Sequence, residues 1–355
     1  MTHEGRPTLE AVAAHAGVSR ATVSRVVNGG QRVREEVRLR VERSVTELGY
    51  VPNSAARSLV TRRTGAVAVV IAEREHRVFS DPFFARQLRG ISRELVAADQ
   101  QLVLMMLEGP PERSHERIGR YLAGGHVDGA LMFSLHGDDP LPVLATAAGL
   151  PTVRGGRPST EEARRGAPVG DTLYVDVDNR DGARQAVAHL RDLGRRRIGV
   201  ITGPLDQTSA QERLNGARDA LGPDLLRPEA VVESDFTVPG GERAMRRLLE
   251  QYPTLDAVFA GNDQMASGAL QVLRSLGHRV PRDVALVGFD DLETATWTDP
   301  PLSTVRQDVE LMGRLMAGLL LRRLGLPSDS VPPERAGEPM VIPATLVVRG
   351  SSQAP

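Results

Sequence analysis

The stretch Leu9-Glu-Ala-Val-Ala-Ala-His-Ala-Gly17-Val-Ser19-Arg20-Ala21-Thr22-Val-Ser24-Arg25-Val-Val-Asn28 sets how the rest of the chain is read. Leu9, Val12, Ala13 and Ala16 recur at i, i+3, i+4 and i+7, the apolar stripe of a short helix. Thr8, just ahead, offers the side-chain oxygen of an N-cap. Gly17 supplies a sharp turn, and Ser19 caps a second helix from Arg20 to about Val27. Val23 and Val26 face inward there, leaving Arg20, Ala21, Thr22, Ser24 and Arg25 outward. A third helix from about Arg34 to Leu48 carries Val37, Val41, Val45 and Leu48 on one face and stops at Gly49. Helix, glycine turn, helix and brace form a helix-turn-helix, whose second helix can enter a major groove.

Charge divides the same way. Residues 1–65 carry eleven arginines and six glutamates, a formal +5, which leaves −6 on the remainder of a chain whose total is −1. A basic head on an acidic body suits a nucleic-acid binder with a separate regulatory domain, although a solvated basic helix face gives the same count. At 355 residues, 41% hydrophobic and 25% charged, the chain has room for two or three folded domains. There is no cysteine, so neither a disulfide framework nor a thiolate metal site is available, and no cofactor is expected. The N-terminal residues lack the apolar core of a secretory signal, and no apolar stretch is long enough to span a bilayer; a cytoplasmic protein is expected.

From Ala66 the pattern changes to apolar runs at Ala66–Ala72, Leu102–Leu107, Val127–Phe133, Arg197–Thr202, Asp256–Ala260 and Val284–Gly288. Between them lie helical stretches such as Phe84–Ala97, Asp181–Leu193, Glu212–Leu221 and Gln264–Leu276. Buried parallel strands with crossover helices are expected. The length calls for two lobes, with Arg164–Val169 a loop between them, facing each other across a cleft at the strand C-termini.

The head string, continued by Leu48-Gly-Tyr50-Val-Pro52-Asn53-Ser-Ala-Ala56-Arg-Ser-Leu59, closely resembles the LacI/GalR family of bacterial repressors. The body carries matching landmarks in order: Ser80-Asp-Pro-Phe-Phe84, Asp178-Asn179, Gly203-Pro204 leading to Arg213, Gly261-Asn-Asp263, Gly288-Phe-Asp-Asp291 and Pro300-Pro-Leu-Ser-Thr304. The resemblance implies an all-α helix-turn-helix head joined by a hinge helix to an α/β, two-lobed, type I periplasmic-binding-protein-like body. The expected divisions are a head at 1–51, a hinge at 52–64 and a body at 65–355. Within the body, an N-lobe of about 65–165 and 292–322 faces a C-lobe of about 166–291 and 323–350.

Further implications are carried residue by residue. Arg20 and Ala21 match positions that vary with operator sequence and touch base edges, and Arg25 matches a base-contacting arginine suited to guanine. Ala21 could read a base only by apolar contact. Thr8, Ser19, Thr22, Ser24, Asn28, Tyr50 and Asn53 match positions that hold phosphates or cap helices. Arg34 departs from a family that commonly caps its third helix with serine. The 53–61 segment, with Ala56, corresponds to a hinge helix that orders in a dimer on DNA, where Leu59 wedges into the minor groove; a core role for Leu59 is the competing reading.

In the body, the resemblance places Arg213, Asn262 and Asp290 on ligand hydroxyls from the C-lobe, Phe236 as an aromatic stacking face, and Asp81 and Phe83 on the N-lobe wall. Ser134, His136 and Arg157 follow N-lobe strands and are further candidates, though a loop histidine is often merely solvated. Asp263 and Asp291 have a competing role as caps. Gly156 stands where many relatives carry an acidic contact. Trp297 precedes Pro300-Pro301, and a place at a subunit interface competes with one in the cleft.

Tyr121-Leu-Ala-Gly-Gly-His-Val-Asp128 and Gly155-Gly-Arg-Pro158 resemble actinobacterial cellobiose-responsive repressors of cellulose-utilisation genes. The implied protein is a homodimeric transcriptional repressor with a palindromic operator and a small sugar effector, a cello-oligosaccharide or other β-glucoside. A corepressor-dependent regulator and a sugar-binding protein without DNA function remain alternatives. An enzyme is disfavoured: the chain has no lysine for a P-loop or Schiff base, and no G-x-S-x-G or H-E-x-x-H motif.

Overall fold

A computed structural model describes residues 7–27, 33–51, 63–158, 173–222 and 226–353. Contacts divide the chain into two units at Gly65/Ala66. The first contains α1 (Leu9–Ala16), α2 (Arg20–Val27) and α3 (Glu35–Leu48). Their apolar stripes meet in a small core of Val12, Ala13, Ala16, Val23, Val41 and Tyr50. Gly17 takes φ +63°, which lets the chain turn from α1 into α2 without the strain a side chain would bring. His15 Nδ1 lies 3.0 Å from Ser44 Oγ and ties α1 to α3. Arg34 precedes α3 without a side-chain cap bond, as a residue lacking a short oxygen must.

The second unit begins with β1 (Ala66–Arg74), α4 (Glu75–Ser80), α5 (Pro82–Ala97), β2 (Gln101–Leu107), α6 (Pro111–Ala123), β3 (Gly129–Phe133), α7 (Leu141–Ala147), β4 (Thr152–Gly155) and β5 (Leu173–Val177). It continues through α8 (Asn179–Asp192), β6 (Ile198–Thr202), α9 (Thr208–Leu221), β7 (Val231–Glu233), α10 (Val238–Gln251), β8 (Ala257–Ala260), α11 (Asp263–Ser275), β9 (Ala285–Asp290) and β10 (Ser303–Arg306). It ends with α12 (Val309–Arg323), β11 (Met340–Ile342) and β12 (Thr345–Val347).

The strands form two six-stranded sheets, ordered β11-β5-β4-β3-β1-β2 and β12-β10-β9-β8-β6-β7. All pairings are parallel except β10 with β12. β1 shows why the runs are continuously apolar. Val67, Val69 and Ile71 enter one core, while Ala68 and Val70 enter the core on the opposite face. A strand covered by helices on both sides has no face to spare for polar residues. On the first of these faces α5 and α12 cross closely. A Cβ on Gly90 would come within 2.1 Å of the Glu310 carbonyl, and one on Gly313 within 2.2 Å of the Gln87 carbonyl.

The six expected apolar runs all contain strands, but the lobe boundaries fall elsewhere. β5 pairs with β4 and β11, so the N-lobe extends to Val177, past the expected boundary at 165/166. β10 pairs with β9, so the C-lobe continues to Arg306 rather than ending at 291. α12 packs on α5 and returns the chain to the N-lobe, which it leaves only after Ile342. Each crossing sits in a short strand-to-helix or strand-to-strand passage. The segment Arg164–Val169, and all of the 52–64 hinge except residues 63 and 64, lie outside the described residues.

Candidate functional site

Two sets of side chains are candidates for function. On the head, Arg20, Ala21 and Arg25 are exposed on α2, with Thr22 and Ser24 half-buried beside them. Both helix starts are capped as the sequence suggests. Thr8 Oγ1 accepts from Ala11 N at 3.2 Å, and Ser19 Oγ accepts from Thr22 N at 3.2 Å. Arg20 Nε sits 3.0 Å from Glu10 Oε1, an exposed, solvent-screened pair that a phosphate or base can displace. Tyr50 is buried in the head core, a setting that suits bracing more than a phosphate contact. Asn28, Asn53, Ala56 and Leu59 lie outside the described residues.

The second set lines a cleft of about 950 Å³, counted out to its open mouth, between the C-terminal edges of the two sheets. In both sheets the order reverses beside the first strand of the lobe, β1 next to β3 and β6 next to β8, which opens a crevice at the strand ends.

Of the nine residues singled out in sequence, Asp81, Phe83, Ser134, Arg157, Arg213, Phe236, Asn262 and Asp290 line this cleft. Asp81 caps α5, its Oδ1 accepting from Phe83 N at 3.0 Å, and burial pushes its carboxyl above the usual range. Arg157 Nε donates to Asp176 Oδ2 at 2.6 Å. Asn262 caps α11 through Met265 N and donates to the Phe236 carbonyl. The Phe236 ring lies on Gly203, where a Cβ would stand 2.0 Å from it, so only glycine admits the ring there.

Arg213 is the hub of the C-lobe wall. Its Nε donates to Asn179 Oδ1 at 2.8 Å, its Nη1 to the Gly261 carbonyl, and its guanidinium lies 3.7 Å over the Phe289 ring. Asp290 Oδ1 is 3.6 Å away and also accepts from Gln307. Burial raises the Asp290 carboxyl to about 7 against the pull of Arg213, and lowers the Arg213 guanidinium. Ser134, Phe236 and Asp290 have φ of 58°, 61° and 112°. Left-handed backbone costs a non-glycine residue of order 1–3 kcal/mol and concentrates at binding sites.

His136 is the exception. It does not line the cleft but stands at its mouth, bonded to both lobes, because Glu73 and Asp206 flank its ring. Asp291 is taken up by Arg306 and Arg349 at 2.6 Å each, and Asp263 by Thr304 Oγ1 and Leu292 N; both hold the frame. Gly156, with φ 97°, lines the cleft without contributing a side chain. Trp297 is 69% exposed and is not among the lining residues.

Several lining residues were not singled out as contacts, including Arg77, Gln87, Asp176, Gln207 and Gln307. Gln87 Oε1 and Arg77 Nε are buried and make no hydrogen bond to protein, as expected of groups turned toward a polar ligand. Asn179 had a sequence signal in Asp178-Asn179. Arg77 had none, since α4 is a six-residue helix with no periodic pattern.

Comparison with known proteins follows this division. Residues 8–53 match the bacterial regulatory proteins of the lacI family, and residues 187–352 match a periplasmic binding protein-like domain. The chain is 47% identical over 353 residues to the HTH-type transcriptional regulator CelR of Thermobifida fusca, covering 99% of this chain and all of that one. It is 34% identical to the ribose operon repressor of Escherichia coli K12, over 90% and 94% of the two chains. Among solved structures, a transcriptional regulator CelR–cellobiose complex matches with TM-score 0.74 and 45% identity, over 98% of this chain and all of that one. A lac repressor dimer bound to operator and the anti-inducer ONPF matches with TM-score 0.82 and 26% identity, over 99% and 100%.

Proposed function

The chain belongs to the LacI family of bacterial regulatory proteins, and on that premise we propose that it is a cytoplasmic, dimeric transcriptional repressor released from a palindromic operator by cellobiose or a related cello-oligosaccharide. The observation that carries this reading is the end-to-end similarity to a regulator solved with cellobiose, joined to a cleft in this chain that is equipped for a sugar.

The roles divide by chemistry. Two copies of α2, one from each subunit, would lie in neighbouring major grooves. Arg25 pairs with a guanine edge, Arg20 and Ala21 read adjacent bases, and Thr8, Ser19, Thr22 and Ser24 fix the register on phosphates. In the cleft, carboxylates and amides accept and donate in pairs to hydroxyls while Phe236 offers a face to the C–H side of a ring. Arg213, Asn262 and Asp290 supply the C-lobe partners, and Asp81, Ser134, Arg157, Gln87 and Arg77 those of the N-lobe. A sugar that binds better to one arrangement of the lobes shifts the population toward it and away from the operator-bound dimer.

Mobility shifts of a palindromic duplex by the full chain, with and without cellobiose, test the reading. Retardation that cellobiose weakens is expected. Retardation strengthened by the sugar would make it a corepressor, and no preference over random DNA would leave a sugar-binding protein without DNA function.

A further inference from the structure

One side of the cleft mouth carries a cluster that bridges the two lobes and goes beyond the proposed sugar contacts. His136, on the loop after β3, has its Nε2 3.0 Å from Glu73 Oε1 of the N-lobe and its Nδ1 3.0 Å from Asp206 Oδ1 of the C-lobe. Gly137 N donates to the Asp206 carbonyl at 2.9 Å, so the Asp206 loop is held to the His136 loop through backbone as well. Gln207 Nε2 lies 3.1 Å from Glu73 Oε1 and 2.7 Å from His136 Nε2. Ser134 Oγ also donates to Glu73, at 2.9 Å. Ser134, Asp206 and Gln207, from two lobes, thus converge on the His136 imidazole and the Glu73 carboxylate.

We propose that His136 is the proton-sensitive clasp of the two lobes, a positioning residue that closes the cleft over its ligand when its imidazole is protonated.

The chemistry follows from the donor count. A neutral imidazole has a single N–H and can donate to only one of two flanking carboxylates, whereas an imidazolium donates to both at once. Opening the cleft removes Asp206 and Gln207, which belong to the C-lobe, and leaves Glu73 in place. The closed form therefore holds the proton more tightly than the open form, and by linkage protonation favours closure.

The surrounding charges agree in sign. Burial lowers the imidazole pKa, but the hydrogen bond and charge of Glu73 and the charge of Asp206 outweigh it and leave it above its ordinary value. Burial likewise raises Glu73, while His136 and Arg77 together hold its carboxyl below the ordinary range. Arg77, on α4, is the opposing cation, and it is paired to Glu73. Asp139 faces the histidine from its own loop; burial pushes that carboxyl up, and His115 lies 3.6 Å from it. The Gln207 amide, 2.7 Å from His136 Nε2, donates to that nitrogen only while the imidazole is neutral; once Nε2 carries a proton for Glu73, the amide keeps its donation to Glu73 Oε1 alone.

The clasp is read without sugar. The chain has no native cysteine, so Val143→Cys on α7 of the N-lobe and Arg247→Cys on α10 of the C-lobe, both exposed, give a clean pair of spin-label sites. Full-length labelled chain, mixed with an excess of unlabelled chain so that distances within one subunit dominate, is measured at pH 8 and pH 6. The short-distance population should grow at pH 6, with an equilibrium shift of about two- to tenfold, given that one pKa unit is tenfold and Asp206 is half exposed. His136→Gln, which keeps hydrogen-bonding capacity without the charge, and Asp206→Asn should each abolish the shift. An identical distribution at both pH values in the parent, or a shift that survives in either variant, overturns the clasp.

The inference rests on the proposed sugar cleft for its purpose but not for this readout. A calorimetric titration with cellobiose supplies the second arm. The ratio of affinities at pH 6 and pH 8 should be about two- to tenfold larger in the parent than in His136→Gln, with the Asp290 contribution common to both. Equal ratios overturn the link to ligand retention. A pH-dependent distance shift without any cellobiose binding leaves the clasp standing and removes cellobiose as the ligand.

Discussion

On the head, Arg20, Ala21 and Arg25 stand in solvent on a two-turn helix braced by a core of six buried apolar side chains. In the body, Arg213, Asn262 and Asp290 are each less than one-tenth exposed, bonded to one another's neighbours, and mounted partly on left-handed backbone. The head can change its contacts cheaply, because the side chains proposed to read DNA are tied to the fold by little more than the exposed Arg20–Glu10 pair. The cleft cannot, because the groups that would meet a ligand also satisfy each other. Substitution in the head should therefore alter DNA reading with little change in stability, while substitution in the cleft should disturb stability and ligand binding together.

The sharpest way to break that contrast is Arg213→Ala. Removing the guanidinium leaves Asp290 buried with one hydrogen-bond partner and strips Asn179 Oδ1 of its donor. A loss of about 3–5 kcal/mol in the denaturation free energy of the body is expected, with loss of sugar binding. A well-folded variant that merely fails to bind sugar would show the cleft to be no more coupled than the head.

The pH dependence of the same site is a smaller effect, since Arg213 offsets part of it. Asp290 titrates near 7 when folded and near 3.9 when unfolded. A raised acid binds its proton more tightly in the folded state, so its stabilisation is fully present below the unfolded value and is lost as pH rises through the folded one. Body stability measured by denaturant between pH 4 and pH 8 should fall with rising pH, and Asp290→Asn should flatten that slope. A slope unchanged in the variant assigns it to other groups.

On the head, Arg25→Ala should cost about 1–3 kcal/mol of discrimination at one base pair while changing stability by no more than about 0.5 kcal/mol. Competition binding with single-base operator variants checks the first, and chemical denaturation the second. Equal loss on specific and random DNA would move Arg25 to the phosphates. Ser19→Ala, which removes the cap on α2, should cost about 1 kcal/mol of head stability, read as faster hydrogen exchange at Thr22 and Val23. The smallest effect is expected of Glu10→Ala, which deletes the exposed pair with Arg20: no measurable change in the denaturation midpoint of the head, and tighter operator binding if that pair competes with DNA.

The same contrast governs what could be read from sequence. The head was legible nearly to the residue because its signals are local: an apolar stripe, a capping oxygen and a stopping glycine. The longest strands, such as β1 and β2, announce themselves as apolar runs, whereas β5, with Asp176 inside its five residues, does not. β7, β11 and β12, three residues each, leave no pattern, and their sheet position is set by partners far along the chain. The lobe boundaries were misplaced for a related reason. Val177 to Asn179 and Arg306 to Val309 cross between lobes within two or three residues, with no shift in composition to mark them.

The candidates carried by recognisable strings all line the cleft, which is as far as their position goes. His136 was singled out, but not its role, because a clasp is defined by Glu73 and Asp206, 63 and 70 residues away. Gln87 lies within an amphipathic helix where a buried amide looks like an ordinary surface residue until α12 packs over it. Asn28, Asn53, Ala56 and Leu59 rest on resemblance alone.

The central claim is that the exposed head and the buried cleft are two ends of one equilibrium. Linkage then requires reciprocity: the factor by which cellobiose weakens operator binding must equal the factor by which operator weakens cellobiose binding, about 5–150-fold for an ordinary regulator. Calorimetric titration of cellobiose into the full-length dimer, free and saturated with operator duplex, measures this directly. The account predicts weaker cellobiose binding on the operator complex by the factor found from the DNA side. Cellobiose affinity that is indifferent to operator would contradict it.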